Sequence, residues 1–188
     1  MLHPGTVRPN TWLTRVPHDS WRMLIAYGVL ATGTLAGAIW IAAHAAITPA
    51  VHTTGLFVHL ASLVLGFGGV LVADSFALRW LTGRASLGDT LRIVSALHVP
   101  IWLGLAGLVA SGCVLEPNLA SPMTQTKMGL VLVLTLNGIQ AWALGRRLDR
   151  RGDVPLTPKL LTWGVATGVV SQVCWWGATA IGFVNAQH

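Results

Sequence analysis

Three histidines follow one another in the first third of the chain, His44, His52 and His59. His44 lies near the end of one apolar stretch, and His59 lies near the start of the next. Neutral imidazole is a common ligand of haem iron, copper and zinc, and two histidines from neighbouring helices can hold a b-type haem inside a bundle. The spacing therefore predicts a haem between His44 and His59, with a copper site that adds His52 as the alternative.

Two glycines share a helical face with His59. On a helix, Gly55 and Gly66 fall about one and two turns from His59. Residues without side chains at these positions would leave room for a flat macrocycle beside the imidazole. The alternative is that the histidines bond to backbone or water at the membrane edge, and that the glycines let another helix approach closely.

A second group of polar residues lies towards the opposite membrane boundary. It consists of Asp74, His98 and Trp102. A histidine and a shielded carboxylate can exchange a proton with a quinone headgroup, and Trp102, about one turn from His98, would add an aromatic wall. These three residues form the candidate quinone or proton site. Alternatively, Asp74 is an anchor that pairs with one nearby arginine, namely Arg22, Arg79 or Arg92.

Membrane-spanning helices are the elements that must position these residues. Of the 188 residues, 53% are hydrophobic and only 10% are charged, whereas charged residues make up about a quarter of an ordinary soluble domain. Apolar runs long enough to cross a bilayer occur five times, which predicts an all-α integral membrane bundle. The expected spans are residues 23–47, 56–79, 93–113, 127–144 and 160–184.

Basic residues determine the expected orientation. Eleven of the 12 Lys and Arg residues fall in residues 1–22 or in the second and fourth connections, and only Lys127 lies on the other side. The positive-inside rule then places residues 1–22 in the cytoplasm and residues 185–188 outside. The net charge of +6 is spread over short connections rather than gathered in a patch. We therefore expect a bacterial inner-membrane protein in contact with lipid, with no nucleic acid partner.

Small and amide residues indicate where helices pack together. Gly-xxx-Gly spacings let helices approach closely, and side-chain amides between membrane helices contribute about 0.6 to 2 kcal/mol each. The residues expected in helix packing are Gly33, Gly37, Asn137, Gly164, Gly168 and Gln172, and the last four suggest that spans four and five pack together. The sequence contains no nucleophile elbow, phosphate loop, zincin helix or CxxC pair, so it predicts no catalytic residue and leaves enzyme activity open.

Four sequence patterns carry a family resemblance over about residues 56–140. They are HLxxLxLGFGGxLxxDxxxxR, WLGLxGLVxSG, LxSPxxxxKM and LNG. The chain resembles a group of uncharacterised small polytopic bacterial inner-membrane proteins, and is more distantly similar to CopD-like copper-resistance membrane domains. In that likeness, the histidine-bearing helix supplies His59, and Gly68-Gly69 form its glycine-rich step, without the Trp that usually precedes the glycines. The similarity to the copper-resistance domains implies copper as the alternative to haem.

Two functions follow from these patterns. The first is a redox-linked membrane protein that binds a b-type haem, or less readily copper, near the outer face and exchanges electrons with quinone. The second is a non-catalytic accessory or assembly subunit of a larger membrane complex, which packs against other membrane subunits through its small-residue seams.

Overall fold

The computed structural model of the chain describes residues 21–149, 157–185 and 187. These residues form five α-helices and no strand, which confirms the all-α prediction. The helices are α1 (Trp21–His44), α2 (Pro49–Leu81), α3 (Leu87–Gly112), α4 (Pro122–Asp149) and α5 (Pro158–Asn185). Most of the predicted amino-terminal segment, residues 1–22, and part of the predicted tail, residues 185–188, lie outside the described residues.

Four of the described helices are long and apolar enough to cross a membrane. They are α1 to α4, whose mean hydropathy reaches 1.5 to 2.2 over 18 residues. Helix α5 has 28 residues but is less apolar than the other four helices. Gln172 and the Trp175-Trp176 pair interrupt its apolar residues. The structure thus supports a multi-pass membrane protein, while the fifth span and the orientation stay predictions.

The helices begin before the predicted spans, and the difference is largest for α2 and α3. Helix α2 begins at Pro49, because the Thr48 side chain caps it by accepting a hydrogen bond from the Val51 backbone N–H at 3.4 Å. Helix α3 begins after Ser86, whose hydroxyl accepts a hydrogen bond from the Asp89 N–H at 3.1 Å. Both starts are polar, and for this reason apolar runs alone place them too late.

Helices α2 and α3 pack as an antiparallel pair in close contact. The backbone of Gly66 lies directly against that of Gly104, and the Ser62 side chain fills the space beside Gly107. Each of these two contacts has a glycine on at least one side, and the missing side chain lets the helices approach closely. The opposite, apolar face of α2 points away from the rest of the chain, with these exposed fractions: Phe57 75%, Leu60 52%, Val64 75%, Leu71 43% and Leu78 62%.

Helices α4 and α5 form a second antiparallel pair, on which α1 packs. Leu130 of α4 reaches the position where a Cβ on Gly177 of α5 would lie. Helix α1 contacts α4 through the edge-to-face pair of Tyr27 and Trp142, whose ring centroids are 6.0 Å apart. The two helix pairs share one hydrophobic core, formed by Phe67, Val70, Leu105, Leu134, Cys174 and Trp175.

Candidate functional site

The imidazole of His59 is held by helix α3. Its Nδ1 lies 2.9 Å from the Ser111 hydroxyl oxygen, and that hydroxyl in turn donates to the Gly107 carbonyl at 2.5 Å. Since the single Ser111 proton is used on Gly107, Ser111 accepts a hydrogen bond from His59 Nδ1–H. The neutral ring therefore presents Nε2 as a free lone pair, which can accept a hydrogen bond or bind a metal.

Gly55 and Gly66 do not leave an open cleft beside His59. The Val114 side chain occupies the space next to Gly55, and a Cβ on Gly66 would lie 3.3 Å from Gly104 Cα and 3.0 Å from the Trp175 ring. In the described fold, α3 and α5 pack against these two positions, and the cofactor site stays a prediction. Both glycines serve the packing of helices.

The other two predicted ligands have contacts of their own. His44 Nδ1 lies 2.8 Å from the Trp40 carbonyl oxygen, and the His44 ring stacks on Trp40 with centroids 4.7 Å apart. His52 is half-buried in the first turn of α2. Within the described ranges, no three His, Cys, Asp or Glu side chains are arranged to hold a metal ion. The structure thus describes separate contacts for His44 and His59, one within α1 and one with α3.

Lys127 of helix α4 approaches helix α5. Its ammonium nitrogen lies 3.3 Å from the position that a Cβ on Gly182 would occupy. Lys127 forms no ion pair with any residue that the structure describes. A half-buried cation without a partner charge is unfavourable in a membrane protein.

Two polar atoms of α5 are also buried without a partner in the described part of the chain. They are the Thr179 hydroxyl oxygen and the Trp175 indole nitrogen. Thr179 lies three residues before Gly182, so the two positions are neighbours on the helix surface. The sequence analysis did not single out Thr179.

Asp74 bonds to an amide rather than to an arginine. Its carboxylate accepts a hydrogen bond from Gln172 Nε2 of α5 at 2.5 Å. Two of the three arginines proposed as partners have other described contacts, since Arg92 pairs with Asp89 at 3.6 Å and Arg79 lies 5.5 Å from the Phe76 ring centroid. Counting residues along each predicted span placed Gln172 nearer the middle of the membrane than Asp74. This count missed the pair because it ignores how far one helix is shifted along another.

The remaining residues of the predicted quinone site have separate surroundings. His98 Nε2 is buried and has no hydrogen-bond partner within the described residues. Trp102 packs beside the hydrophobic core, where a Cβ on Gly138 would lie 3.2 Å from its ring. No described contact joins His98 or Trp102 to Asp74, so the quinone or proton site stays a prediction.

The predicted packing residues divide into two groups. Asn137 of α4 donates to the Thr167 carbonyl of α5 at 2.9 Å and accepts from Gln140 at 2.8 Å, so it joins these two helices. The glycine pairs behave differently, because a Cβ at any of them would meet no described atom within 4 Å: Gly33, Gly37, Gly164 and Gly168. We call these pairs the α1 seam and the α5 seam.

Comparisons of the chain with protein-family models, with curated proteins and with solved structures give no match. The function proposed below is therefore supported by the contacts within the chain itself.

Proposed function

We propose that the chain is a non-catalytic subunit of a larger membrane complex, and that the α1 and α5 seams receive helices of other subunits. The observation that carries this proposal is the open space beside all four seam glycines. Within a bilayer, helices associate through close van der Waals packing and interhelical hydrogen bonds, for which small residues on one face are the usual basis.

The same molecule shows what a filled glycine seam looks like. In the α2/α3 pair, Gly66 and Gly104 bring two backbones into contact, and Gly107 accommodates Ser62. The seam glycines are four residues apart on their helices, and a Cβ at any of them would meet no atom of the described chain within 4 Å. Glycine is less favourable than alanine in a helix by up to about 1 kcal/mol in water, and a contact with another helix would offset this cost.

The surface beside the α1 seam suits another apolar helix. Gly28, Thr32, Gly33 and Ala36 line an open apolar groove, together with Leu136 of α4. The most apolar 18-residue window of α1 contains no residue buried by the rest of the chain. Helix α1 therefore offers a long apolar surface to lipid or to another subunit.

The described polar contacts within the bundle support a structural role. Asp74 joins α2 to α5, Asn137 joins α4 to α5, and His59 joins α2 to α3. Each contact connects two helices and so orders the bundle without requiring a substrate. The proposal includes five spans, a cytoplasmic amino terminus and the bacterial inner membrane, as the charge distribution predicts.

Enlarging the seams tests the proposal. Gly33→Leu with Gly37→Leu, and Gly164→Leu with Gly168→Leu, place side chains where the described chain has no atom within 4 Å. We expect both double variants to keep the thermal midpoint of the isolated chain. We also expect them to lose association with other subunits when native membranes are extracted in a mild detergent.

The matched control is a glycine that is already in contact within the chain. Gly104→Ala places a methyl group against the Gly66 backbone, so it should lower the thermal midpoint itself. The role of the seams would be refuted if the seam variants associate like the wild type. It would also be refuted if they lose association only when their thermal midpoint falls as well.

A second candidate function is redox-linked binding of a b-type haem, or of copper, at His59. The observation that favours it is the hydrogen bond from His59 Nδ1 to Ser111, which leaves Nε2 available as a ligand. A bound haem would supply one-electron transfer. The fit is partial, because α3 and α5 fill the space beside Gly55 and Gly66.

The visible spectrum and the metal content of the purified protein test this second candidate. A Soret band that disappears in His59→Ala would support it. A colourless protein without bound copper would rule it out.

A further inference from the structure

Two exposed basic side chains meet at Trp163, where the end of α4 lies beside the start of α5. Arg147 is in the last turn of α4, and its guanidinium carbon lies 5.3 Å from the centroid of the Trp163 ring. Lys159 is four residues before Trp163, so the two side chains are neighbours on the surface of α5. Arg147 and Lys159 are both exposed, and a ligand can therefore reach them from outside the chain.

The charges of Arg147 and Lys159 have no counter-ion in the described part of the chain. Neither side chain forms an ion pair with a residue whose side chain the structure describes, and the first turn of α5 contains no acidic residue. Two cations beside one ring repel each other, and an anion bound between them would stabilise both. A guanidinium can stack on an aromatic ring and still donate hydrogen bonds from its edge, in a geometry that matches a phosphate group. The pair therefore fits a phosphate.

Tryptophan residues indicate the depth of this pair in the membrane. Trp163 lies in the second turn of α5, and Trp142 lies near the same end of α4, where the Arg146 guanidinium is 3.6 Å from its ring centroid. Tryptophan is enriched at the boundary between the apolar core of a bilayer and its headgroups. The basic side chains beside Trp163 are thus at the level of the lipid phosphates.

An exposed apolar face continues from Trp163 along α5. On a helix, Ala166, Val170 and Val173 fall on the same face as Trp163. All three are exposed, and the exposed fraction is 36% for Val170 and 61% for Val173. We call these three residues the α5 track. The α5 seam lies on a different face of the helix, so a ligand on the track leaves the seam open.

We infer that Arg147, Lys159 and Trp163 bind the headgroup of an anionic phospholipid, whose phosphate accepts hydrogen bonds from the two cations and whose acyl chain lies along the α5 track. A lipid fits better than a soluble phosphate, because the track begins directly beside the two cations. An anionic lipid fits better than a zwitterionic one, because it brings a net negative charge to them. This inference does not depend on the proposed subunit function.

Lipid binding to the full-length protein tests the inference. The purified chain is placed in neutral detergent micelles, and binding of phosphatidylglycerol and of phosphatidylcholine is measured by native mass spectrometry and by the thermal midpoint. We expect the wild type to prefer phosphatidylglycerol. Arg147→Gln combined with Lys159→Gln should weaken that binding about tenfold or more, as expected for lost hydrogen bonds to a charged group. Trp163→Leu should weaken it less, because both cations remain.

The matched control removes two positive charges from the same end of the bundle. Arg84→Gln combined with Arg92→Gln changes two exposed arginines, one before α3 and one in its second turn, and should leave phosphatidylglycerol binding unchanged. All four substituted side chains are exposed, so both double variants should keep the thermal midpoint of the lipid-free protein. An equal loss of binding in both double variants would overturn the inference, because binding would then follow the total charge.

Three other results would also overturn the inference. They are equal binding of both lipids to the wild type, unchanged binding of phosphatidylglycerol by the double variant of Arg147 and Lys159, and a rise in the thermal midpoint with inorganic phosphate equal to that with phosphatidylglycerol. If this double variant fails to fold, the single variants Arg147→Gln and Lys159→Gln replace it, and unchanged binding by both overturns the inference.

Discussion

At the residue scale, polar side chains of the bundle connect helices that are distant in the sequence. The Asp74 carboxylate and the Gln172 amide are 98 positions apart and meet at 2.5 Å. The sequence marks both residues as unusual, because each interrupts an apolar stretch. It does not reveal the partner, since the offset between two helices depends on packing that no single stretch encodes.

The Asp74 and Gln172 pair leads to a prediction about stability. Gln172→Leu leaves the carboxylate without its described donor and should lower the free energy of unfolding by about 1 to 3 kcal/mol. Asp74→Leu combined with Gln172→Leu should recover most of that loss, because replacing both partners by apolar groups removes the unsatisfied group. Unfolding of the three variants in mixed micelles measures the coupling. Additive losses in the double variant would contradict a direct bond.

At the element scale, the apolar pattern predicts the helices better than their ends or their neighbours. The spans expected at 56–79 and 93–113 are the central parts of α2 and α3. Their starts were missed because Thr48 and Ser86 cap polar first turns. The face of α2 that bears Gly55 and Gly66 was recognised as a packing or ligand face. In the structure, α3 packs against this face, because Gly104 and Val114 lie opposite the two glycines.

The close contact of α2 and α3 yields the second prediction. Gly104→Ala should destabilise the protein by about 1 to 3 kcal/mol, because the added methyl group overpacks a site where two backbones touch. Gly129→Ala in α4 is the matched control, since apart from its own helix backbone the described chain has no atom within 4 Å of the new methyl group. Thermal unfolding of both variants in the same detergent compares them. Equal midpoints would contradict the described α2/α3 contact.

At the scale of the whole molecule, the charge pattern predicts which connections face the cytoplasm. Arg84 lies in the connection between α2 and α3, and Asn118 lies in the connection between α3 and α4; both residues are exposed. The native Cys113 and Cys174 are buried. These positions therefore suit labelling from either side of the membrane.

Labelling of introduced cysteines tests the orientation. A membrane-impermeant thiol reagent applied to intact spheroplasts should label Asn118→Cys but not Arg84→Cys, because the positive-inside rule places the basic connection in the cytoplasm. Permeabilised cells serve as the control and should show both labels. The reverse pattern in intact spheroplasts would contradict the predicted orientation.

The two seams are the other feature of the whole molecule, and their role depends on what lies outside the chain. The spacing of Gly33 with Gly37 and of Gly164 with Gly168 predicted helix packing. The sequence suggested that Asn137 and Gln172, together with the α5 pair, bring spans four and five together. In the structure, Asn137 and Leu130 of α4 contact α5, whereas a Cβ at any of the four seam glycines would meet no atom of the described chain within 4 Å.

The composition and mass of the particle extracted from native membranes in mild detergent test the central claim most directly. The subunit proposal predicts that the wild-type chain occurs together with at least one other membrane polypeptide. It also predicts that leucine at Gly33, Gly37, Gly164 and Gly168 reduces this particle to the single folded chain. A wild-type particle that contains this chain alone, or a leucine variant that keeps the wild-type composition, would contradict the proposal.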